Sequence, residues 1–139
     1  KKLLCGDADP LVCGYIAAVF SILGHMFPIY FKFRGGKGVA TALGVTTALA
    51  WQTFPIVMIP FVIIVAVSKM ISLGSIISAV ILPIATYFVY YFWYPECSPV
   101  VPTVATAVIA LLIIFMHRTN IKRMVRGEEN KLGAKKSDE

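Results

Sequence analysis

Apolar residues fill this chain in long blocks that charged residues interrupt only briefly: no Asp, Glu, Lys or Arg occurs in 10–31, 38–68, 70–95 or 97–116. A helix needs about 20 apolar residues to cross the hydrocarbon core of a bilayer, so the long block 38–68 must fold back on itself. Gln52-Thr53-Phe54-Pro55 is where it breaks, because a polar pair followed by proline interrupts a helix and the residue before proline disfavours the α region. The pattern thus predicts an all-α, polytopic transmembrane helix bundle with about five membrane segments, 10–27, 38–52, 54–69, 71–94 and 99–116. Segment 38–52 is short: its 15 residues rise about 22 Å against a core of roughly 30 Å, which suits a half-length or re-entrant helix.

Within these segments, Ala40, Gly44 and Ala48 recur every fourth residue and predict a small-residue stripe along which neighbouring helices approach closely. Thr41, Thr46 and Thr47 suit a bundle interior better than lipid. Tyr87-Phe88-Val89-Tyr90-Tyr91-Phe92-Trp93-Tyr94 reads as an aromatic belt at the outer headgroup interface, and Pro83 predicts a kink in the same segment.

Composition agrees with the pattern. The 139 residues are 58% hydrophobic and 14% charged, with a mean hydropathy of +0.81, which sets the chain apart from an ordinary soluble domain. The charges sharpen the topology. If the chain enters from outside and crosses five times, Lys32, Arg34, Lys37, Lys69, Arg118, Lys122, Arg123, Arg126, Lys131, Lys135 and Lys136 share one side, and only Lys1 and Lys2 take the other. That asymmetry places the basic side in the cytoplasm and Asp7, Asp9 and Glu96 outside. The net charge of +6 is then a membrane-face property, and basic residues hugging helix ends argue for lipid contact and against nucleic acid. Cys5, Cys13 and Cys97 show no metal-ligand spacing, so no metal site is expected, while a Cys5–Cys97 disulfide on the outer side is compatible with the layout. The absence of an initiator methionine points to a fragment or a processed product.

Two polar stretches are left for chemistry. Phe31-Lys32-Phe33-Arg34-Gly35-Gly36-Lys37-Gly38 sets a cationic glycine loop between two apolar segments. Glycines let a ligand approach backbone N–H groups, and the apolar helix that follows Lys37 turns its positive end toward the same spot, which suits a phosphate. A tight turn with snorkelling cations has about the same claim on these residues. A nucleotide-binding P-loop is excluded by Phe31 and Gly38, where that motif requires glycine and Ser or Thr. The second stretch, His117-Arg118-Thr119-Asn120-Ile121-Lys122-Arg123-Met124, follows the last apolar segment; on a continuing helix His117, Asn120 and Met124 share one face. A topogenic basic run with a capping or solvated His and Asn is the plainer reading of that segment alone. His25, beside Gly24 and Phe27-Pro28, is placed to bond a backbone carbonyl and shape the loop.

Together, Gly24-His25-x-Phe27-Pro28, Phe33-x-Gly35-Gly36-Lys37-Gly38-x-Ala40-Thr41, and His117-x-x-Asn120-Ile121-x-Arg123 with Gly127 and Glu129 resemble the second and third signature motifs of the bacterial acyl-phosphate:glycerol-3-phosphate acyltransferases, the PlsY family. The resemblance covers essentially the whole chain in order and spacing. It implies a seven-span inner-membrane enzyme, with its site and C-terminus cytoplasmic, that transfers an acyl group from acyl phosphate to the 1-hydroxyl of sn-glycerol 3-phosphate and makes lysophosphatidic acid for phospholipid synthesis. It implies no cofactor, no nucleotide, and no direct use of acyl-CoA or acyl carrier protein. Carried over by that resemblance, His117, Asn120 and Lys37 are the catalytic candidates, Gly35, Gly36, Lys37, Gly38 and Thr41 the substrate-phosphate binders, and His25, Arg123 and Glu129 the supports. Residues 1–116 would form the bundle with the glycine loop at 32–38, and 117–139 a basic C-terminal segment that completes the site. The chain departs from the family in having Met116 where Arg is frequent, and in lacking the Ser/Gly/Asn/Thr-rich first motif, so the expectation is that these 139 residues alone carry only part of the phosphate shell.

Acyl phosphate is an activated anhydride, so no covalent enzyme intermediate is required, and holding two anions together is the main task. His117 either takes the hydroxyl proton or holds a phosphate that takes it. The rival from another class is a small membrane transporter or channel with a cytoplasmic anion-binding loop, since glycine loops and half-length helices also build ion paths. Against it, no predicted span carries an internal Asp, Glu, Lys or Arg.

Overall fold

Asp9 starts the first helix: its Oδ1 accepts the Leu11 N–H at 2.9 Å, and Pro10 fills the first helical position, where a missing N–H costs nothing. The computed structural model, which describes residues 9–133, contains six α-helices and one short 3₁₀ turn. They are α1 (Pro10–Met26), the turn Ile29–Phe31, α2 (Val39–Leu49), α3 (Thr53–Ser68), α4 (Ile71–Trp93), α5 (Val100–Met116) and α6 (Arg118–Val125). The five apolar segments predicted from the pattern are α1 to α5, in order. The fold-back falls at 50–52, slightly before the proline, because Pro55 is tolerated in the first turn of α3. α4 runs as one helix through Pro83.

Two stretches among the described residues, Pro10–Phe31 and Ile71–Trp93, are long and apolar enough to cross a membrane; α5 and α6 reach that length only as a pair bent by 57° at His117. α2 is short, as its 11 residues show. α4 is the central element, packed against α3 and α5, while α1 lies against α5 and α2. Ile22, Met26, Ala42, Leu82, Ile109 and Ile113 form the main buried cluster.

The small-residue stripe faces the other way from the expectation. Ala40, Gly44 and Ala48 are exposed, and α2 buries Ala42 and Thr46 instead. Thr46 manages this because its hydroxyl donates to the Ala42 carbonyl at 2.7 Å, which leaves only its methyl group to pack. A second correction concerns the cysteines: Cys97 carries a free thiol, which rules out a Cys5–Cys97 disulfide, and Cys5 lies outside the described residues.

The two ends of the bundle are satisfied differently. At the end carrying the α2–α3 and α4–α5 turns, neutral groups pair: Tyr15 donates to Tyr90 at 3.3 Å, and Tyr94 donates to Gln52 Oε1 at 3.1 Å. Around them Tyr87, Phe88, Tyr91, Phe92 and Trp93 face outward, as a belt requires. The opposite end gathers the α1–α2 loop, the α3–α4 turn and α6. The Leu132 N–H donates to the Lys69 carbonyl at 2.7 Å and ties the tail to that turn.

Candidate active site

The glycine loop is held by the end of α1. Gly35 N–H donates to the Met26 carbonyl and Gly36 N–H to the His25 carbonyl, each at 3.2 Å, so these two amides cap α1. This close approach is why glycine is needed. A Cβ on Gly35 would collide with the backbone oxygens of His25 and Met26, and one on Gly36 with the His25 imidazole. Gly38 has φ 77°, a left-handed conformation that favours glycine, and it caps α2, whose first-turn N–H groups have no helical partner. The Gly35 and Gly36 amides are thus committed to the end of α1, whereas the first-turn amides of α2 have no helical partner. His25 is exposed and lies over Gly36. Thr41 sits half-buried in the first turn of α2 and is not among the residues lining the neighbouring cavity.

Lys37 projects from this loop to the tail. Its Nζ donates to Asn120 Oδ1 at 2.7 Å, across 83 positions of sequence. Asn120 is 3% exposed and fully used: its Nδ2 donates to Ser72 Oγ and to Glu129 Oε1, both at 2.7 Å. Ser72 donates to the same Oε1 at 2.6 Å, and Arg123 Nε pairs with Oε2 at 2.9 Å. Burial pushes the Glu129 carboxyl up, but the hydrogen bonds from Ser72, Arg123 and Asn120, with the Arg123 charge, outweigh it and hold the pKa at about 2. A buried carboxylate so paired orients Asn120 and leaves two cations, Lys37 and Arg123, against one anion. The cluster is receptive to a further negative charge.

His117 stands at the bend between α5 and α6. Its Nδ1 lies 2.8 Å from the Ile113 carbonyl, which can only accept, so Nδ1 carries the proton. Burial lowers its pKa, and the nearby Lys37 charge adds to this, so the ring is neutral with its lone pair on Nε2. A helix running straight on would have placed His117 and Asn120 on one face; the 57° bend brings both inside by another route, each at most 3% exposed. His117 lines an apolar cavity of about 390 Å³ that reaches from Lys37, Ser72 and His117 down to Val57 and Leu82; Asn120 does not line it but bonds two residues that do, Lys37 and Ser72. Met124, half-buried, does not line it.

Comparison with known proteins now decides the family. The model described as glycerol-3-phosphate acyltransferase matches residues 3–127. The chain belongs to the glycerol-3-phosphate acyltransferase family. A curated glycerol-3-phosphate acyltransferase from Actinobacillus succinogenes is 36% identical over 93% of this chain and 65% of its own length. One from Shouchella clausii is 40% identical over 86% of this chain and 57% of its own. The chain thus spans less than two thirds of these curated relatives. Among solved structures, PlsY (YgiH), an integral membrane glycerol 3-phosphate acyltransferase, is similar in its glycerol 3-phosphate form, with a TM-score of 0.68 at 32% identity over 88% of this chain and 67% of that one. Its lysophosphatidic acid form is similar too, with the same TM-score at 31% identity over 88% of this chain and 68% of that one. This member of the family is accordingly an all-α membrane protein.

Sequence reasoning missed Ser72 in this acyltransferase-family chain. Its partner Glu129 is 57 positions away, and a lone serine in an apolar helix ordinarily bonds its own backbone. The available signal was Ser72, Ser75 and Ser78 at three-residue spacing, which put three hydroxyls on one face of α4; all three line the cavity.

Proposed function

We propose that this protein transfers an acyl group from acyl phosphate to the 1-hydroxyl of sn-glycerol 3-phosphate, releasing lysophosphatidic acid and inorganic phosphate. The observation that supports it most is the Lys37 Nζ–Asn120 Oδ1 contact, which joins the two motif-bearing segments at the polar mouth of an apolar cavity. A cationic mouth takes the two phosphates, and an apolar cavity takes the acyl chain. The similarity to PlsY in its glycerol 3-phosphate and lysophosphatidic acid forms, a substrate and the product of this reaction, supports the reading.

In this reading Lys37, Gly38 and the first turn of α2 bind phosphate oxygens, with Gly35, Gly36 and His25 fixing the loop, and Thr41 at its rim. The glycerol oxygen attacks the acyl carbon while the carbon–oxygen bond to phosphate breaks and phosphate leaves with the electron pair. His117 Nε2 accepts the hydroxyl proton, a role that its neutral ring and committed Nδ1 suit. Lys37 offsets charge growing on the departing phosphate, and such preorganised groups are worth more in a dry site. Asn120, whose two amide hydrogens are already committed, orients a substrate oxygen by accepting from its hydroxyl with the second lone pair of Oδ1, while Glu129 holds Asn120 and Arg123 holds Glu129. Residues 1–116 act as the bundle and 117–139 as the segment that completes the site.

Purified protein in lipid nanodiscs should form lysophosphatidic acid from dodecanoyl phosphate only when sn-glycerol 3-phosphate is added; folded protein that forms none refutes the assignment. The same reading puts the site and the C-terminus on the cytoplasmic face of a bacterial inner membrane, with Cys97 outside. Its free thiol should then react with a membrane-impermeant maleimide in intact cells. Labelling only after permeabilisation would invert the topology.

A further inference from the structure

The cavity has a built depth, and small side chains keep it open. Its polar mouth is Ser72 at the start of α4, and its inner end is Leu82 with Val57, both part of the packed core. Ten residues of α4 separate Ser72 from Leu82, a rise of about 15 Å. An extended hydrocarbon advances about 1.25 Å per carbon, from bonds near 1.5 Å at tetrahedral angles, so about 12 carbons fit along this wall. Part-way down, at about 10 Å, Ala79 presents only a methyl group to the cavity from α4 while Ala42 does so from α2; they are 3% and 2% exposed. Any larger side chain at Ala79 enters the volume that a chain beyond about eight carbons would occupy.

We propose that Ala79 and Leu82 are the length gauge of this protein: Ala79 keeps the cavity open at mid-depth and Leu82 closes it, so the pair selects acyl chains by length. The proposal rests on the acyltransferase reading, with the acyl chain of acyl phosphate as occupant. Leu82 is the floor because it is the α4 residue furthest from Ser72 among those that line the cavity, and it is itself 4% exposed within the buried cluster that also holds Ala85 and Ile109. Neither residue touches the polar mouth, so each acts on the tail of the substrate and not on the reacting atoms.

The test is competition between octanoyl, dodecanoyl and hexadecanoyl phosphate with sn-glycerol 3-phosphate present, read by mass spectrometry of the lysophosphatidic acids formed. Ala79→Leu should raise the octanoyl-to-hexadecanoyl product ratio at least tenfold over the unmodified protein, with Ala79→Val between the two. Leu82→Ala should move the ratio the opposite way, and it decides the matter if Ala79→Leu fails to fold. Displacement of bound lysophosphatidic acids of the same lengths gives a readout independent of turnover and should shift in parallel. Ratios that stay within twofold in folded variants overturn the gauge while leaving the acyltransferase reading intact. No product of any length from the unmodified protein overturns that reading instead.

Discussion

The glycine loop and the tail after α5 meet at one hydrogen bond, Lys37 Nζ to Asn120 Oδ1, yet they are held in place by opposite means. On the tail side the side chains hold one another: Asn120, Ser72 and Glu129 are buried, and Glu129 alone accepts from three partners. On the loop side the backbone is held, through Gly35 and Gly36 against the end of α1, and Lys37 itself is exposed. Removing a tail side chain therefore unfastens its neighbours, whereas removing the Lys37 side chain leaves the loop standing. Chemistry and stability are separable at Lys37 and coupled at Glu129.

That contrast breaks most sharply at Lys37. Lys37→Ala should lower acyl transfer by about 100-fold or more, the usual scale for losing one preorganised stabiliser of developing charge. Its thermal unfolding in detergent should match the unmodified protein, and a large fall in the midpoint would show that Lys37 holds the fold together. Glu129→Gln should do both kinds of damage, costing about 2 kcal/mol because hydrogen bonds to a charged group are lost in a buried place. The same carboxylate gives a pH signature. Its folded pKa of about 2 lies below the ordinary 4.5, so its stabilisation is fully present above pH 4.5 and is lost as pH falls from there through about 2. Melting midpoints measured down that range should fall more steeply for the unmodified protein than for Glu129→Gln, and parallel curves would remove Glu129 from the account. The smallest effect separates two neighbouring glycines. Gly35→Ala meets backbone oxygens that cannot yield and should cost about 1–3 kcal/mol, whereas Gly36→Ala meets only the swinging His25 ring and should cost less than about 1 kcal/mol. Equal losses would mean that the loop is not seated on α1.

What could be read in advance follows the same division. The helices were legible because a bilayer demands long uncharged runs, and Gln52 to Pro55 combined a polar pair with proline near the middle of 38–68. The pairing of loop and tail was legible through the family resemblance and through charge, which put both on one face. The use of the Gly35 and Gly36 amides was not, since a glycine approaches a ligand or another backbone with the same freedom. Nor was the outward face of Ala40, Gly44 and Ala48, because a small-residue stripe states what can approach closely and not what does. The bend at His117 escaped as well: nothing between Met116 and Arg118 breaks a helix by propensity, and tertiary contacts of Asn120 and Glu129 fix it.

The central claim is that Lys37 and Asn120 act as one unit across the two halves, and a double-mutant cycle on acyl transfer tests it most directly. Lys37→Ala and Asn120→Ala should each reduce transfer strongly, and the double variant should be about as impaired as the worse single one, a coupling on the order of 1–3 kcal/mol. Losses that simply multiply in the double variant would show that the loop and the tail work independently, and the account would fail.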